Sequence, residues 1–177
     1  MVRGGFSIIE ITVTVIILAI LLTLGVLGMS ASQRNARDAE RKSDVETLAI
    51  QLEDFYKNPK QTAGSTASGG TYPGVSYVNQ ASVAGLSALL PDIAPETLRT
   101  PGVKNTQNTS LFAATNAIQT TDGVLPRPTY SSYVYQAIDS YGSSLCLDHT
   151  IQNGCRKFNL YYMTEDNTVH MVTSKNQ

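Results

Sequence analysis

The stretch FSIIEITVTVIILAILLTLGVLGM, residues 6–29, decides the architecture of this chain. It holds a single charged residue, Glu10, and residues 11–29 carry no charge at all. At 1.5 Å per residue, a helix of this length extends about 36 Å, which is enough to cross a hydrocarbon core of about 30 Å. We therefore predict a membrane-spanning helix.

A removable secretory signal is the main alternative for this segment, because Arg3 also places a positive charge before an apolar run. The apolar part of such a signal covers only about 7 to 15 residues and ends in a small-residue cleavage site. Here the run is longer, and the small residues Gly4 and Gly5 come before it. The pattern favours a span over a signal.

The charges that flank the span leave its orientation open. Arg3 precedes it, whereas four basic residues follow within residues 34–42, and this count favours a cytoplasmic head. Acidic residues are interleaved with them, however, so that the second flank has mixed charge.

Glu10 is the residue that a simple membrane anchor explains least well. A carboxylate at the centre of a bilayer costs about 2.5 to 3.5 kcal/mol on insertion scales. Glu10 lies four residues after Phe6, about 6 Å along a helix, so the nearby headgroups reduce this cost. It is either a tolerated interfacial residue or a functional one.

The amino terminus resembles that of type IV pilins and the related pseudopilins. The resemblance rests on Arg3-Gly4-Gly5, followed by Phe6-Ser7-Ile8-Ile9-Glu10 and a Val/Ile/Leu run. It implies that a prepilin peptidase cuts after Gly5, that the new terminal Phe6 is N-methylated, and that Glu10 is the family's assembly glutamate. It also implies that the leader lies in the cytoplasm and the head outside. The match covers residues 3–29 and, with the continuing helix, extends to about Lys57.

The motif has a physical interpretation of its own. Cleavage before Phe6 leaves an ammonium at the start of an apolar helix, and Glu10 supplies an anion within the first turns. In a bundle of staggered identical helices, Glu10 of one subunit can meet the Phe6 ammonium of its neighbour. Two unpaired charges in a dry core would each cost several kcal/mol, and pairing recovers much of this cost. We expect the pair to set the helix register.

The resemblance implies a non-enzymatic structural subunit of a surface filament for adhesion, motility or DNA uptake. Its implied partners are identical subunits in a helical homo-oligomer, the prepilin peptidase, an assembly platform with its ATPase, and the membrane. The precursor would be a single-pass protein of the inner membrane, and the assembled filament would be extracellular. Two alternatives stay open: a pseudopilin of a type II secretion or competence system, and a membrane-anchored extracellular binding protein.

Residues 30–57 predict a continuation of the helix into water. Eleven of the twenty-seven charges of the chain fall in this segment, and opposite charges recur at helical spacing, as on a solvated face. An apolar stripe runs along the later turns, formed by Val45, Leu48, Ala49, Leu52, Phe55 and Tyr56. This stripe should pack under a head domain, and Asn58-Pro59 should end the helix.

The remaining residues, 58–177, predict a small head. Residues 61–72 and 104–110 have the composition of surface loops, and residues 81–90 and 95–99 that of short helices. Runs rich in aromatic and β-branched residues at 133–138, 158–163 and 168–172 predict strands, with a turn at Glu165-Asp166-Asn167. We expect an α+β fold in which a long N-terminal helix packs on a C-terminal antiparallel sheet, as in type IV pilins. This gives a leader (1–5), a core helix (6–29), its continuation (30–57) and the head.

Cys146 and Cys155 are the only cysteines, and a head outside the membrane predicts that they form a disulfide. A zinc site with His149 and His170, or a Cys-His nucleophile pair, would be the alternatives, but neither has the usual spacing. A simple hairpin around Asn153-Gly154 would not place the two cysteines opposite each other. The bridge should therefore close a loop.

Enzyme and cofactor signatures are missing from the sequence. It has no phosphate-binding loop, dinucleotide fingerprint, G-x-S-x-G or H-E-x-x-H motif, and the acids of the head are too scattered to predict a metal site. Charged residues make up only 15% of the chain, with a net charge of -1. We therefore predict no cofactor and no specific nucleic-acid partner.

Overall fold

The structure is a computed structural model, and it describes Gly5 and residues 7–58, 69–79, 82–103, 108–148 and 154–176. The chain divides into two compact units, Met1–Arg37 and Asp38–Gln177. Its described elements, in chain order, are α1 (Ile8–Lys57), α2 (Val75–Asn79), α3 (Val83–Leu89), β1 (Leu111–Ala113), β2 (Tyr133–Ile138), β3 (Lys157–Met163) and β4 (Val169–Thr173).

The first unit contains the beginning of helix α1, which is long and apolar enough to cross a membrane. Its apolar side chains are exposed: Ile9 is 74% exposed and Leu22 69%. The hydroxyls of Thr12, Thr14 and Thr23 donate to backbone carbonyls three or four residues earlier, so these polar groups are satisfied within the helix. The predicted long helix is confirmed from Ile8 to Lys57.

The second unit is built on a four-stranded sheet in the order β1-β2-β3-β4. The β2–β3 and β3–β4 pairs are antiparallel, as predicted, and the turn at Glu165-Asp166-Asn167 joins the second pair. Strand β1 was not predicted, and it pairs parallel to β2, with Leu111 opposite Tyr133. The expectation of a purely antiparallel sheet is therefore wrong. The long segment between these two strands gives the chain room to return and enter β2 in the same direction.

One face of the sheet packs on the later turns of α1. Val45, Leu48, Leu52 and Phe55 of the predicted stripe are buried in one apolar cluster, with alternate side chains of the sheet. The sheet contributes Tyr133, Tyr135 and Ala137 from β2 and Phe158, Leu160 and Tyr162 from β3. The strand period of two places these residues on the same face. The predicted packing of helix on sheet is confirmed.

The opposite face of the sheet is covered by the segment between β1 and β2. Ala114 and Val124 of this segment form a second apolar cluster with Val134 of β2 and Tyr161 of β3. The sheet is thus buried on both faces, which explains why all six residues of β2 are buried.

Two expectations for the middle of the chain need correction. Residues 95–99 form no helix, because Thr97 and Arg99 donate to the carbonyls of Ala94 and Glu96 in successive turns. The helix expected over residues 81–90 is present as Val83–Leu89, with Ser82 as its amino-terminal cap, and Ala81 lies outside the described residues. Most of the predicted loops at 61–72 and 104–110 also lies outside them.

The described residues of these two loops run from the surface, where Gly69 and Asn108 are exposed, into the core. Tyr72 is fully buried, and Ser110 is 5% exposed. Backbone hydrogen bonds tie Ser110 to Leu98 and to Tyr133. Both segments therefore enter the core, because the short strand β1 and the disulfide region hold their ends.

Candidate functional site

Glu10 lies in the first turn of α1. The N–H groups of Glu10 and Ile11 both donate to the carbonyl of Ser7, at 3.0 and 3.2 Å, so the helix begins directly after this serine. The partial positive charge of a helix amino terminus favours an anion at this position. Gly5 is described and exposed, whereas Arg3, Gly4 and Phe6 lie outside the described residues.

The surroundings of Glu10 on the helix are apolar and exposed. Ile8 is 82% exposed and Ile11 53%. The ion pairs at Arg41 and Lys42 do not include Glu10. The first turn therefore presents one carboxylate on an otherwise apolar surface. If this surface is buried in a water-free environment, the carboxylate requires a cationic partner.

Arg41 connects α1 to the sheet. Its side chain is only 3% exposed, and its guanidinium lies 2.6 Å from Asp38 and 3.4 Å from Glu165. Its Nε donates to the carbonyl of Tyr130 at 3.2 Å, and the guanidinium lies 5.9 Å from the centre of that tyrosine's ring. Asp38 in turn accepts the N–H of Glu165 at 3.0 Å. The planar guanidinium group of arginine, with its several N–H donors, suits a buried site that contains several acceptors.

The burial of Arg41 corrects one expectation from the sequence. The charge pattern of residues 30–57 predicts a solvated face, and the Lys42–Glu46 pair, at 3.8 Å, does lie on such a face with both side chains more than half exposed. Arg41 occupies the other side of the helix, where the turn between β3 and β4 covers it. Helical spacing alone does not distinguish these two positions.

A half-buried carboxyl, Asp44, makes the next contact between helix and sheet. The hydroxyl of Tyr133 donates to Asp44 Oδ2 at 2.9 Å. Burial raises the pKa of Asp44 to about 6, the bond from Tyr133 opposes this rise, and the charge of Glu40 adds to it. Burial likewise raises the pKa of Tyr133, which therefore remains a donor.

Glu53 binds the segment that follows β4. Its two carboxylate oxygens accept the N–H of Lys175 at 2.7 Å and the side-chain amide of Asn176 at 2.6 Å. The same amide donates to the hydroxyl of Tyr72 at 3.2 Å. Burial is the main cause that raises the pKa of Tyr72 to about 12. Arg41, Asp44 and Glu53 thus place three polar contacts along a buried side of the helix.

Cys146 and Cys155 form the predicted disulfide, with 5.3 Å between their Cα atoms. Both cysteine carbonyls accept hydrogen bonds from one segment: Tyr72 donates to Cys155 at 2.8 Å and Val75 to Cys146 at 3.0 Å. A Cβ on Gly74 would collide with the carbonyl of Leu147, so this position requires glycine. The bridge closes a loop, as expected, and the loop holds the entry into α2.

The zinc and nucleophile alternatives find no support around this bridge. Both sulfurs are oxidised, so neither offers the thiolate that such chemistry needs. His170 stacks on Tyr162 with 5.0 Å between ring centres, and its Nε2 lies 3.1 Å from the hydroxyl of Thr164. His149 lies outside the described residues. Within the described ranges, no three His, Cys, Asp or Glu side chains are arranged to hold a metal.

A buried polar cluster on the other face of the sheet was not predicted. Gln136 is fully buried, and its amide nitrogen donates to the carbonyls of Asn116 and Ile118 at 2.8 and 3.2 Å. Its oxygen accepts from Asn159 at 2.9 Å and from the Tyr161 hydroxyl at 3.0 Å. All donors and acceptors of the Gln136 side-chain amide are therefore hydrogen-bonded, and these bonds hold the segment between β1 and β2 on the sheet. A glutamine inside an apolar strand run was its only sequence signal.

Comparison with protein-family models, with curated proteins and with solved structures finds no match to this chain.

Proposed function

We propose that this chain is the structural subunit of a type IV pilus-like filament. The observation that carries the proposal is the lone carboxylate of Glu10 in the first turn of an exposed apolar helix, directly after the sequence Gly5-Phe6-Ser7. A helix that only anchors a protein has no need of this charge. A helix that packs against copies of itself can use it to select one register.

In the proposed assembly, a prepilin peptidase removes residues 1–5 and leaves Phe6 as an N-methylated amino terminus. The Phe6 ammonium of one subunit then pairs with Glu10 of its neighbour, while the apolar surface of α1 is buried between copies. An assembly platform with its ATPase draws subunits from the inner membrane into an extracellular filament. The head takes no part in catalysis; it forms the outer surface.

The disulfide supports the orientation that the flanking charges leave open. Cys146 and Cys155 are bonded, and disulfides persist in oxidising compartments outside the cytoplasm. A head on the outer side of the membrane places the leader in the cytoplasm, where the resemblance to pilins requires it. The pseudopilin alternative shares this topology and differs in the length and location of the fibre.

Two measurements test the proposal. Mass spectrometry of the mature protein should show an amino terminus at Phe6 with an added methyl group, and electron microscopy of sheared surface material should show filaments. Glu10→Gln should leave the protein processed and membrane-inserted but abolish or strongly slow filament formation. Glu46→Gln, which removes an exposed carboxylate from the solvated face of the same helix, is the matched control. A mature protein that begins at Met1, or normal filaments from Glu10→Gln, would refute the proposal.

A further inference from the structure

Strand β4 forms one edge of the described sheet, next to β3. Thr164 donates to the carbonyl of Thr168, and Ser174 to that of Phe158, both at 3.0 Å. Bonded and non-bonded pairs alternate along an antiparallel ladder, so the even-numbered residues of β4 bond to β3. The N–H and C=O groups of the odd-numbered residues, Val169, Met171 and Thr173, therefore point away from the sheet.

Nothing in the described part of the chain uses these outward groups. The backbone hydrogen bonds between described segments include none at Val169, Met171 or Thr173. The side chain of Met171 is 41% exposed as well. The outer edge of β4 therefore offers a row of backbone donors and acceptors to another strand.

The sequence of β4 leaves this edge unprotected. In natural sheets, a very short edge strand, a lysine, a proline or a bulge usually prevents the edge from pairing with a strand of another chain. The edge strand on the other side, β1, has only three residues. Strand β4, with the sequence VHMVT, has five residues and contains no proline, lysine or acidic residue. Such an edge favours pairing with a further strand.

We propose that β4 pairs with β4 of a second copy of this chain, antiparallel and about a two-fold axis at Met171. This register places Val169 of each copy opposite Thr173 of the other. All three outward positions then become hydrogen-bonded pairs, with about 5.5 Å between opposite Cα atoms. The edge is thus complementary to itself, as a two-fold interface requires.

The charges next to β4 favour this antiparallel arrangement. The exposed Asp166 precedes the strand in its turn, whereas the exposed Lys175 follows the end of the strand. Antiparallel pairing brings the acidic turn of each copy beside Lys175 of the other, at both ends of the interface. Parallel pairing would instead bring the two acidic turns together, and like charges across strands repel each other.

The contact between two isolated copies is weak, because a single pair of short strands buries little surface. Copies within one helical filament are related by a screw axis rather than by a two-fold axis. If the proposed function holds, the contact therefore joins neighbouring filaments laterally, where many weak contacts act together. Only the lateral contact between filaments rests on the proposed function.

The test uses position-specific cross-linking of the full, unpolymerised chain in detergent micelles. Met171→Cys should be joined to a second copy by a short bis-maleimide, because the two thiols face each other at the axis. Val169→Cys alone and Thr173→Cys alone should not react, but a mixture of the two should. The native cysteines are oxidised and remain inert. Equal cross-linking at all three positions, or none at Met171→Cys, would overturn the proposal.

A charge introduced at the two-fold axis provides the second readout. Met171→Lys, introduced into both the Val169→Cys and the Thr173→Cys chains, places two like charges at the axis and should abolish their cross-linked dimer. Circular dichroism should stay unchanged, since Met171 is partly exposed. Pairing a Met171→Lys chain with a Met171→Glu chain should restore the cross-linked dimer. An unchanged yield of this dimer with Met171→Lys in both chains would contradict the two-fold register. These experiments need no filament, so their failure is separate from that of the Glu10 test.

Discussion

The Tyr133 hydroxyl donates a 2.9 Å hydrogen bond to Asp44 across 89 residues of sequence. The bond joins α1 to β2 at a carboxyl whose pKa burial raises from 3.8 to about 6. The folded head therefore holds a proton at Asp44 over a pH range in which the unfolded chain has released it. This difference makes the contact between helix and sheet sensitive to pH.

We expect the free energy of unfolding to fall as the pH rises through the window between 3.8 and about 6. In this window the unfolded chain loses the proton first, so deprotonation favours unfolding. Asp44→Asn keeps an acceptor for Tyr133 and removes the titration. Above this window the variant should be more stable than the wild type by about 1 kcal/mol, a discounted value since the carboxyl is only half-buried.

Denaturant unfolding of the detergent-solubilised chain at several pH values between 4 and 7 measures this effect. Glu46→Gln is the control, because Glu46 lies on the exposed face of the same helix. Its unfolding curves should keep the pH dependence of the wild type. An Asp44→Asn variant with an unchanged pH dependence would show that Asp44 is not the responsible group.

Arg41→Ala should destabilise the head by about 3 kcal/mol, because it leaves the carboxylates of Asp38 and Glu165 without their shared cation. Arg41→Lys should cause an intermediate loss of stability, since an ammonium group cannot reproduce the planar arrangement of guanidinium donors. The exposed Arg34→Ala should change stability by no more than about 0.5 kcal/mol. Hydrogen exchange provides the local readout: the Glu165 amide, which donates to Asp38, should exchange faster in Arg41→Ala. Equal stability of the two alanine variants would contradict this assignment.

Gly74→Ala should cost about 1 to 3 kcal/mol, because the added methyl group meets the backbone of the disulfide loop at Leu147, which cannot easily yield. Gly69→Ala is the matched control, since a Cβ there meets nothing within 4 Å. Thermal unfolding of both variants measures the difference. If Gly69→Ala and Gly74→Ala have the same melting temperature, the close approach of Gly74 to the backbone of Leu147 does not limit the stability of the head.

Replacing both cysteines by serine should lower the free energy of unfolding by about 2.7 kcal/mol in the chain-entropy treatment of a loop of this length. Amide exchange should rise at Tyr72 and Val75, which donate to the two cysteine carbonyls. The amides of Thr164 and Asn167, in the turn at the opposite end of the β3–β4 pair, should change little. Uniform loss of protection across the whole head would mean that the bridge acts globally rather than on this segment.

Features that depend on local pattern follow from the sequence alone. The uncharged apolar run of residues 11–29 indicates the first half of α1, because a helix satisfies its own backbone, and the strand period of two places β2, β3 and β4 within one residue of their ends. Two cysteines and a head outside the membrane were sufficient to predict the disulfide. In the candidate site, the motif identified Gly5, Phe6 and Glu10, and the structure describes the first and the last of them.

Tertiary contacts determine which polar residues are buried and which segments meet. Arg41 and Lys42 are neighbours in one charged run, yet the first is buried and the second exposed, because only one side of the helix faces the sheet. The short β1 and its parallel pairing with β2 depend on a segment that folds back over the sheet, where Gln136 fastens it. These contacts join residues far apart in the chain, and their stability comes from shared burial rather than from local propensity.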